Sequence, residues 1–106
     1  MNRGELWTVS GGVYAAKPRP ALIIQDNLFS ATESVVVIPL TTTVADVTIA
    51  RIAIPTTTGI AKHSYAMIDK ITSVRRANLG QRIGNLPATL MTDIERSLMV
   101  FLGLAS

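Results

Sequence analysis

Apolar positions in this chain come in short runs separated by Gly, Pro, Thr and charged residues, and their spacing changes character once, near Pro87. Glu5-Leu6-Trp7-Thr8-Val9 alternates and is rich in β-formers, and Ser10-Gly11-Gly12 follows with turn chemistry, which predicts a first strand. Lys17-Pro18-Arg19-Pro20 is too rich in proline for a helix and reads as a stiff loop leading into a second strand, Ala21–Gln25, closed by Asp26-Asn27. Ser34–Leu40 is the most β-branched run and predicts a central strand whose hydrogen bonding ends near Pro39, because proline has no N–H to donate. Val47–Pro55, with Ile49, Ile52 and Ile54 around Arg51, predicts a fourth strand, and Thr56-Thr57-Thr58-Gly59 the turn after it. Ser64–Val74 predicts a long strand with room for a kink, and Gly80–Gly84 a short one bounded by glycines.

Beyond Pro87 the period becomes helical. Leu90, Ile94, Leu98 and Phe101 or Leu102 share one face, Pro87 suits the first turn, and Gly103 stands where a helix would end. Short strands followed by one amphipathic helix predict a mainly β fold: a small, partly open barrel with the helix packed on it. The 106 residues are enough for one core and too few for two ordinary domains, so 1–106 reads as a single domain without internal repeat or linker.

Composition narrows the chemistry. No apolar run approaches the roughly 20 residues needed to span a bilayer, so no membrane segment is expected. The first residues, Met1 to Trp7, lack the apolar stretch of a secretory signal, and a cytoplasmic address is the expectation. With zero cysteines and one histidine, His63, the chain has neither a disulfide framework nor the ligands of a structural zinc site. Ten Lys/Arg against seven Asp/Glu give a net charge of +3. Arg75, Arg76 and Arg82 fall close together, and Lys17 and Arg19 flank Pro18; such clusters suit a polyanionic partner or, more plainly, a solvated surface.

Four segments carry a resemblance over nearly the whole chain: Arg3-Gly4-Glu5-Leu6-Trp7, then Arg19-Pro20-Ala21-Leu22-Ile23-Ile24-Gln25, then Val37-Ile38-Pro39-Leu40-Thr41, and finally Leu79-Gly80-Gln81-Arg82-Ile83-Gly84-Asn85-Leu86 leading to Phe101-Leu102-Gly103-Leu104. In that order, with Asp69-Lys70 between, they resemble the MazF/PemK family of toxins from type II toxin-antitoxin systems. The resemblance implies an SH3-like barrel with a carboxyl-terminal helix, a homodimer, and a cognate antitoxin that covers the site with an acidic, partly disordered segment. It also implies a sequence-specific endoribonuclease that cuts single-stranded mRNA without metal or other cofactor. In such cleavage the ribose 2′-hydroxyl attacks the adjacent phosphorus, so the protein must take one proton, give another to the leaving 5′-oxygen and stabilise added negative charge.

The resemblance carries two residues over most directly. Arg19 matches an arginine at the scissile phosphate, where a guanidinium makes paired hydrogen bonds to phosphate oxygens; its plain alternative is an arginine paired with a carboxylate. Thr41 matches a threonine or serine whose hydroxyl holds the phosphate; its plain alternative is polar β surface in the Thr41-Thr42-Thr43 run. Lys17, Thr42, His63, Asp69, Lys70 and Arg82 are the further candidates for binding RNA or for proton transfer. Asp69 aligns with an acidic position of some relatives, against the alternative of a surface ion pair with Lys70 in a strand. His63 has the side chain that titrates near neutrality, against the alternative of a solvated loop histidine. Trp7 suits stacking on a base, but equally core or dimer packing.

Two departures stand out. Some relatives place a histidine ahead of the Arg-Pro step and an arginine two residues before the Asp; here the first loop holds Tyr14 and no histidine, and Met67 stands in place of the arginine. No second proton-transfer group is identifiable from sequence. The fold also implies an alternative, a non-enzymatic toxin similar to the CcdB gyrase poisons, but their Trp-Gly-Ile ending is absent and Arg19-Pro20 favours the nuclease. A bare RNA-binding or scaffold barrel is the third reading.

Overall fold

A computed structural model of the protein describes residues 1–11, 15–43 and 50–105, the side chains of residues 15 and 16 apart. The strands are β1 (Glu5–Gly11), β2 (Ala15–Ile23), β3 (Ser34–Thr41), β4 (Arg51–Ile54), β5 (Ser64–Met67), β6 (Thr72–Arg75) and β7 (Leu79–Asn85), and the helix is α1 (Ala88–Phe101). All strand pairs are antiparallel, in the order β4-β5-β3-β2-β1-β7, with β6 also on β3. β4 and β7 are not hydrogen-bonded to each other, so the barrel is open at that seam.

β3 is the hub. Its first half pairs with β6, from Ser34 with Arg75 to Val37 with Thr72, while Leu40 and Thr41 pair with Ala66 and Tyr65 of β5. On its other edge the pairing with β2 runs from Val37–Ile23 to Pro39–Ala21 and goes no further. That end falls where a proline removes a donor, as expected, yet the strand itself continues to Thr41 because β5 takes up its opposite edge. The predicted Ser64–Val74 strand is broken in two by a 3₁₀ turn at Ile68–Lys70. Asp69 and Lys70 therefore lie in a turn, not in a strand.

The Lys17–Pro20 segment corrects a second expectation. It is not a loop but part of β2, with Pro20 opposite Thr8 and Arg19 opposite Val9 of β1. Both prolines lie on the stretch of β2 that β3 has already left, so their missing N–H groups forfeit no ladder bond to β3. In the predicted fourth strand, residues 51–54 are extended as β4, and residues 47–49 lie outside the described ones.

Two cores lie on opposite faces of the sheet. The larger contains Leu6, Leu22, Ile38, Leu40, Ile54, Ala66 and Ile68 and is capped by Met91 and Ile94 of α1, with Leu90 and Leu98 packed at its margin. The smaller contains Val9, Ala21, Ile23, Val35, Val37 and Val74, against which Trp7 and Leu79 pack. The apolar stripe of α1 stops at Leu98: Phe101 and Leu102 are 47% and 49% exposed, contrary to the predicted face. Met91, not expected in that stripe, is buried instead. Gly103, at φ +73°, ends the helix, with the Gly103 and Leu104 N–H groups donating to the carbonyls of Val100 and Met99.

Candidate active site

The two principal candidates lie at the ends of β2 and β3 that part company. Carrying the β2–β3 register two residues past its last pair, Ala21 with Pro39, sets Arg19 opposite Thr41. The two residues therefore flank the gap where the strands diverge. Arg19 is exposed and, among the described residues, makes neither a hydrogen bond nor an ion pair, so none of them takes up its guanidinium donors. Thr41 is half-buried at the end of β3, and its Oγ1 accepts a 3.1 Å hydrogen bond from the Thr43 amide, which leaves the hydroxyl hydrogen to donate elsewhere.

Alternate residues of a strand share a face. The β4–β5 register pairs Arg51 with Met67 and Ala53 with Tyr65, and Tyr65 in turn pairs with Thr41. Arg51, Ala53, Met67, Tyr65 and Thr41 thus line one face of the β4-β5-β3 sheet, with Arg19 at its margin. The other face carries Ile52, Ile54, Ala66 and Leu40 into the larger core. The core side of these strands is what holds the polar side in place.

Asp69 does not pair with Lys70. Its carboxylate accepts from the Nη1 of Arg51, across from which Met67 lies, and the two side chains are 14% and 33% exposed for Arg51 and Asp69. The sequence offered no arginine near Asp69 at Met67; the neighbouring strand supplies one from Arg51. The Arg51 Nε is buried and has no hydrogen-bond partner among the described residues. The alternation of Arg51 with Ile52 and Ile54 signals the face it occupies, but only the β4–β5 register reveals its partner.

His63 is exposed just ahead of β5, and its ring meets that of Tyr65 edge-on, with centroids 5.2 Å apart and planes at 81°. It therefore belongs to the same face as Thr41 through Tyr65, a residue that carried no signal in the sequence beyond its place in a strand. Lys17 is exposed on β2 in the stretch between Ala15 and Arg19 where the β1–β2 register shifts, and Thr42 and Lys70 are exposed at the ends of their elements.

Arg82 stands apart from this group. On β7 opposite Trp7, it pairs through Nε with Glu5 Oε2 at 3.1 Å, and Glu5 Oε1 also accepts from the Trp7 indole at 3.1 Å and the Asn2 amide at 2.7 Å. Burial raises the Glu5 pKa, but the Asn2 amide, the Trp7 indole, Arg82 and the terminal amine together outweigh it and hold the carboxyl below its ordinary value. Arg82 and Trp7 thus tie the β1-β7 side of the sheet. Nearby, Arg75 pairs with Glu33 at 3.8 Å and the Arg76 Nε donates to the Thr32 carbonyl at 2.9 Å, so the Arg75-Arg76-Arg82 cluster is partly spent on structure. Among the described residues no group of three or more His, Asp or Glu side chains is arranged to hold a metal.

Comparison with known proteins shows what the chain is similar to. The family described as PemK-like, MazF-like toxin of type II toxin-antitoxin system matches residues 2–102. A protein of Mycolicibacterium smegmatis named "Probable endoribonuclease MazF" is 48% identical over 108 aligned residues, covering 99% of each chain. A solved structure of an endoribonuclease in complex with its cognate antitoxin, from a mycobacterial species, superposes with a TM-score of 0.82 at 26% identity, covering 100% of this chain and 98% of that one. A MazE-MazF structure from Deinococcus radiodurans shares the fold, with a TM-score of 0.81 at 17% identity over 97% and 95% of the two chains.

Proposed function

Because the chain belongs to the PemK-like, MazF-like toxin family of type II toxin-antitoxin systems, we propose that it is a single-domain, cytoplasmic endoribonuclease that cuts single-stranded mRNA at a preferred sequence and thereby halts translation and growth. The chemistry is supported by the β2–β3 register, which, carried two residues past its last pair, sets Arg19 opposite Thr41 at the gap where the strands diverge. A phosphate in that gap receives paired hydrogen bonds from the Arg19 guanidinium, which has no partner among the described residues, and one from the Thr41 hydroxyl, donors for oxygens whose charge grows in the transition state. The 2′-oxygen attacks phosphorus and loses its proton, the P–O5′ bond breaks, and the 5′-oxygen takes a proton. One fragment ends in a 2′,3′-cyclic phosphate, or the 3′-phosphate it opens to, and the other in a 5′-hydroxyl. Lys17, Thr42 and Lys70 add cationic and hydroxyl groups for the flanking phosphates. Arg82, bound to Glu5, serves the scaffold before it serves RNA.

The antitoxin and the dimer belong to the same reading. A basic face that accepts RNA also accepts an acidic segment that orders on binding. Homodimer formation is supported by the apolar end of α1, where Val100, Phe101 and Leu102 are about half exposed and Leu104 is 73% exposed. The gyrase-poison alternative draws no support, since the named relatives are endoribonucleases.

The test is cleavage of a long single-stranded RNA in excess chelator, with analysis of both ends. Cyclic phosphate or 3′-phosphate with 5′-hydroxyl is the expected outcome, and Arg19→Ala abolishes it. A 5′-phosphate product, dependence on magnesium, or normal cleavage by Arg19→Ala overturns the reading.

A further inference from the structure

We propose that Tyr65 is a stacking platform for one nucleobase of the RNA beside the scissile phosphate, with His63 holding its ring in place. The inference rests on the reading of the chain as an RNA-cleaving enzyme and assigns a substrate contact to residues outside the Arg19–Thr41 pair.

Three observations converge on it. Tyr65 is the direct cross-strand partner of Thr41, which sets their Cβ atoms roughly 4.5–5.5 Å apart on one face. A phosphate held by Thr41 therefore has the ring as its immediate neighbour. On the other flank Tyr65 faces Ala53, a small and exposed residue, so its direct partner on β4 does not cover the ring. Finally, His63 meets the Tyr65 ring edge-on at 5.2 Å, a geometry that orients an aromatic ring while leaving a face available. The residue is only half-buried, and the larger core is built by the opposite face of the same strand, so packing does not account for an aromatic side chain here.

The chemistry suits a nucleobase more than any other part of the substrate. Every base offers a π-face, and an aromatic side chain stacks on it without needing a specific hydrogen-bond pattern. Arg19 and Lys17, both exposed on the adjoining strand, supply the charge that draws the backbone to this face. Tyr65 then contributes affinity and fixes the angle at which the nucleotide next to the cut enters. It does not transfer a proton.

The experiment uses the full chain and a short single-stranded RNA containing a site that the protein cuts, made resistant by a 2′-O-methyl sugar at the cut. Binding is measured for wild type, Tyr65→Ala, Tyr65→Phe and Tyr65→Leu, each against the intact RNA and against RNAs with one abasic position moved across the site. Tyr65→Ala and Tyr65→Leu are expected to weaken binding between about fivefold and about 150-fold, whereas Tyr65→Phe stays within about twofold of wild type. One abasic position is expected to cost wild type a similar factor and to cost Tyr65→Leu nothing further. His63→Ala is expected to weaken binding a few-fold through loosening of the ring. If wild type cuts and binds RNA but no abasic position loses its effect in the Tyr65 variants, the stacking assignment is wrong. If wild type neither binds nor cuts any RNA, the enzymatic reading itself fails and takes this inference with it.

Discussion

Replacing Gly84 with alanine tests how the open seam of the barrel is held. A Cβ on Gly84 would lie 1.9 Å from the Thr58 carbonyl oxygen, about 1 Å inside the 3.0 Å that a Cβ tolerates, and 3.0 Å from the Gly59 Cα. Both obstacles are backbone, so no rotamer change relieves them. The turn at Thr56–Thr58 after β4 rests directly on β7 here, and this contact spans the gap that no β4–β7 hydrogen bond closes. Moving that turn away costs at least as much as ordinary overpacking, about 1–3 kcal/mol, and the backbone-on-backbone contact puts it near the upper end. For a chain of this size about 3 kcal/mol lowers the melting temperature by roughly 12–24 °C. Gly103→Ala is the comparison: unlike Gly84 it has a positive φ, +73°, but its added Cβ meets nothing within 4 Å, so only the left-handed conformation costs, about 1–2 kcal/mol. Thermal unfolding followed by circular dichroism, at one fixed protein concentration because a dimer melts in a concentration-dependent way, separates the two. A Gly84→Ala protein that melts within about 3 °C of wild type, or no lower than Gly103→Ala, refutes the close approach as the closure of the seam.

Arg51→Met and Asp69→Asn should each destabilise the fold by about 1–3 kcal/mol, discounted from the value for a fully buried pair because Asp69 is one-third exposed, and the double variant should cost less than their sum; additive losses in urea unfolding would mean the pair is not coupled. Glu5 has a folded-state pKa below its ordinary value, so its contribution to stability is present above the ordinary carboxylate range and is lost as pH falls through the depressed value. Glu5→Gln should flatten the acid side of the stability curve, and an unchanged slope below pH ~4.5 counts against the Asn2–Trp7–Arg82 cluster. Thr41→Val, which keeps the shape and removes the hydroxyl, should lower kcat by on the order of tenfold or more with little effect on melting; an unchanged rate returns Thr41 to a structural role. Ile94→Ala, at a fully buried position of α1, should cost about 2–5 kcal/mol by leaving a cavity beneath the helix, and a loss under 1 kcal/mol would show that the core collapses around it.

Local pattern determined much of this protein. The period-two runs of β-branched residues became strands, the change of period at Pro87 became α1, and Gly103 ended it, because these signals depend on backbone conformation and nearest neighbours. The four motifs that resemble the toxin family named the fold and both residues of the proposed phosphate site. What sequence could not decide was pairing. Lys17–Pro20 reads as a loop because proline is penalised in strands on average; the penalty is reduced where one neighbouring strand has turned away, a fact only the β2–β3 register contains. Asp69 looked like the partner of Lys70, its neighbour along the chain, but the β4–β5 pairing brings Arg51 to it instead. The helical period carries the apolar stripe of α1 on to Phe101 or Leu102, whereas packing on the larger core stops at Leu98, and how far a partner surface reaches is not written in a helix's own period. Tyr65 carried no signal by itself; Thr41 on one neighbouring strand, Ala53 on the other and His63 at its edge give it a role. A side chain's face is set by alternation within its own strand, but its partners are set by the register of strands distant in sequence, and that register is decided only when the whole sheet buries its apolar faces together.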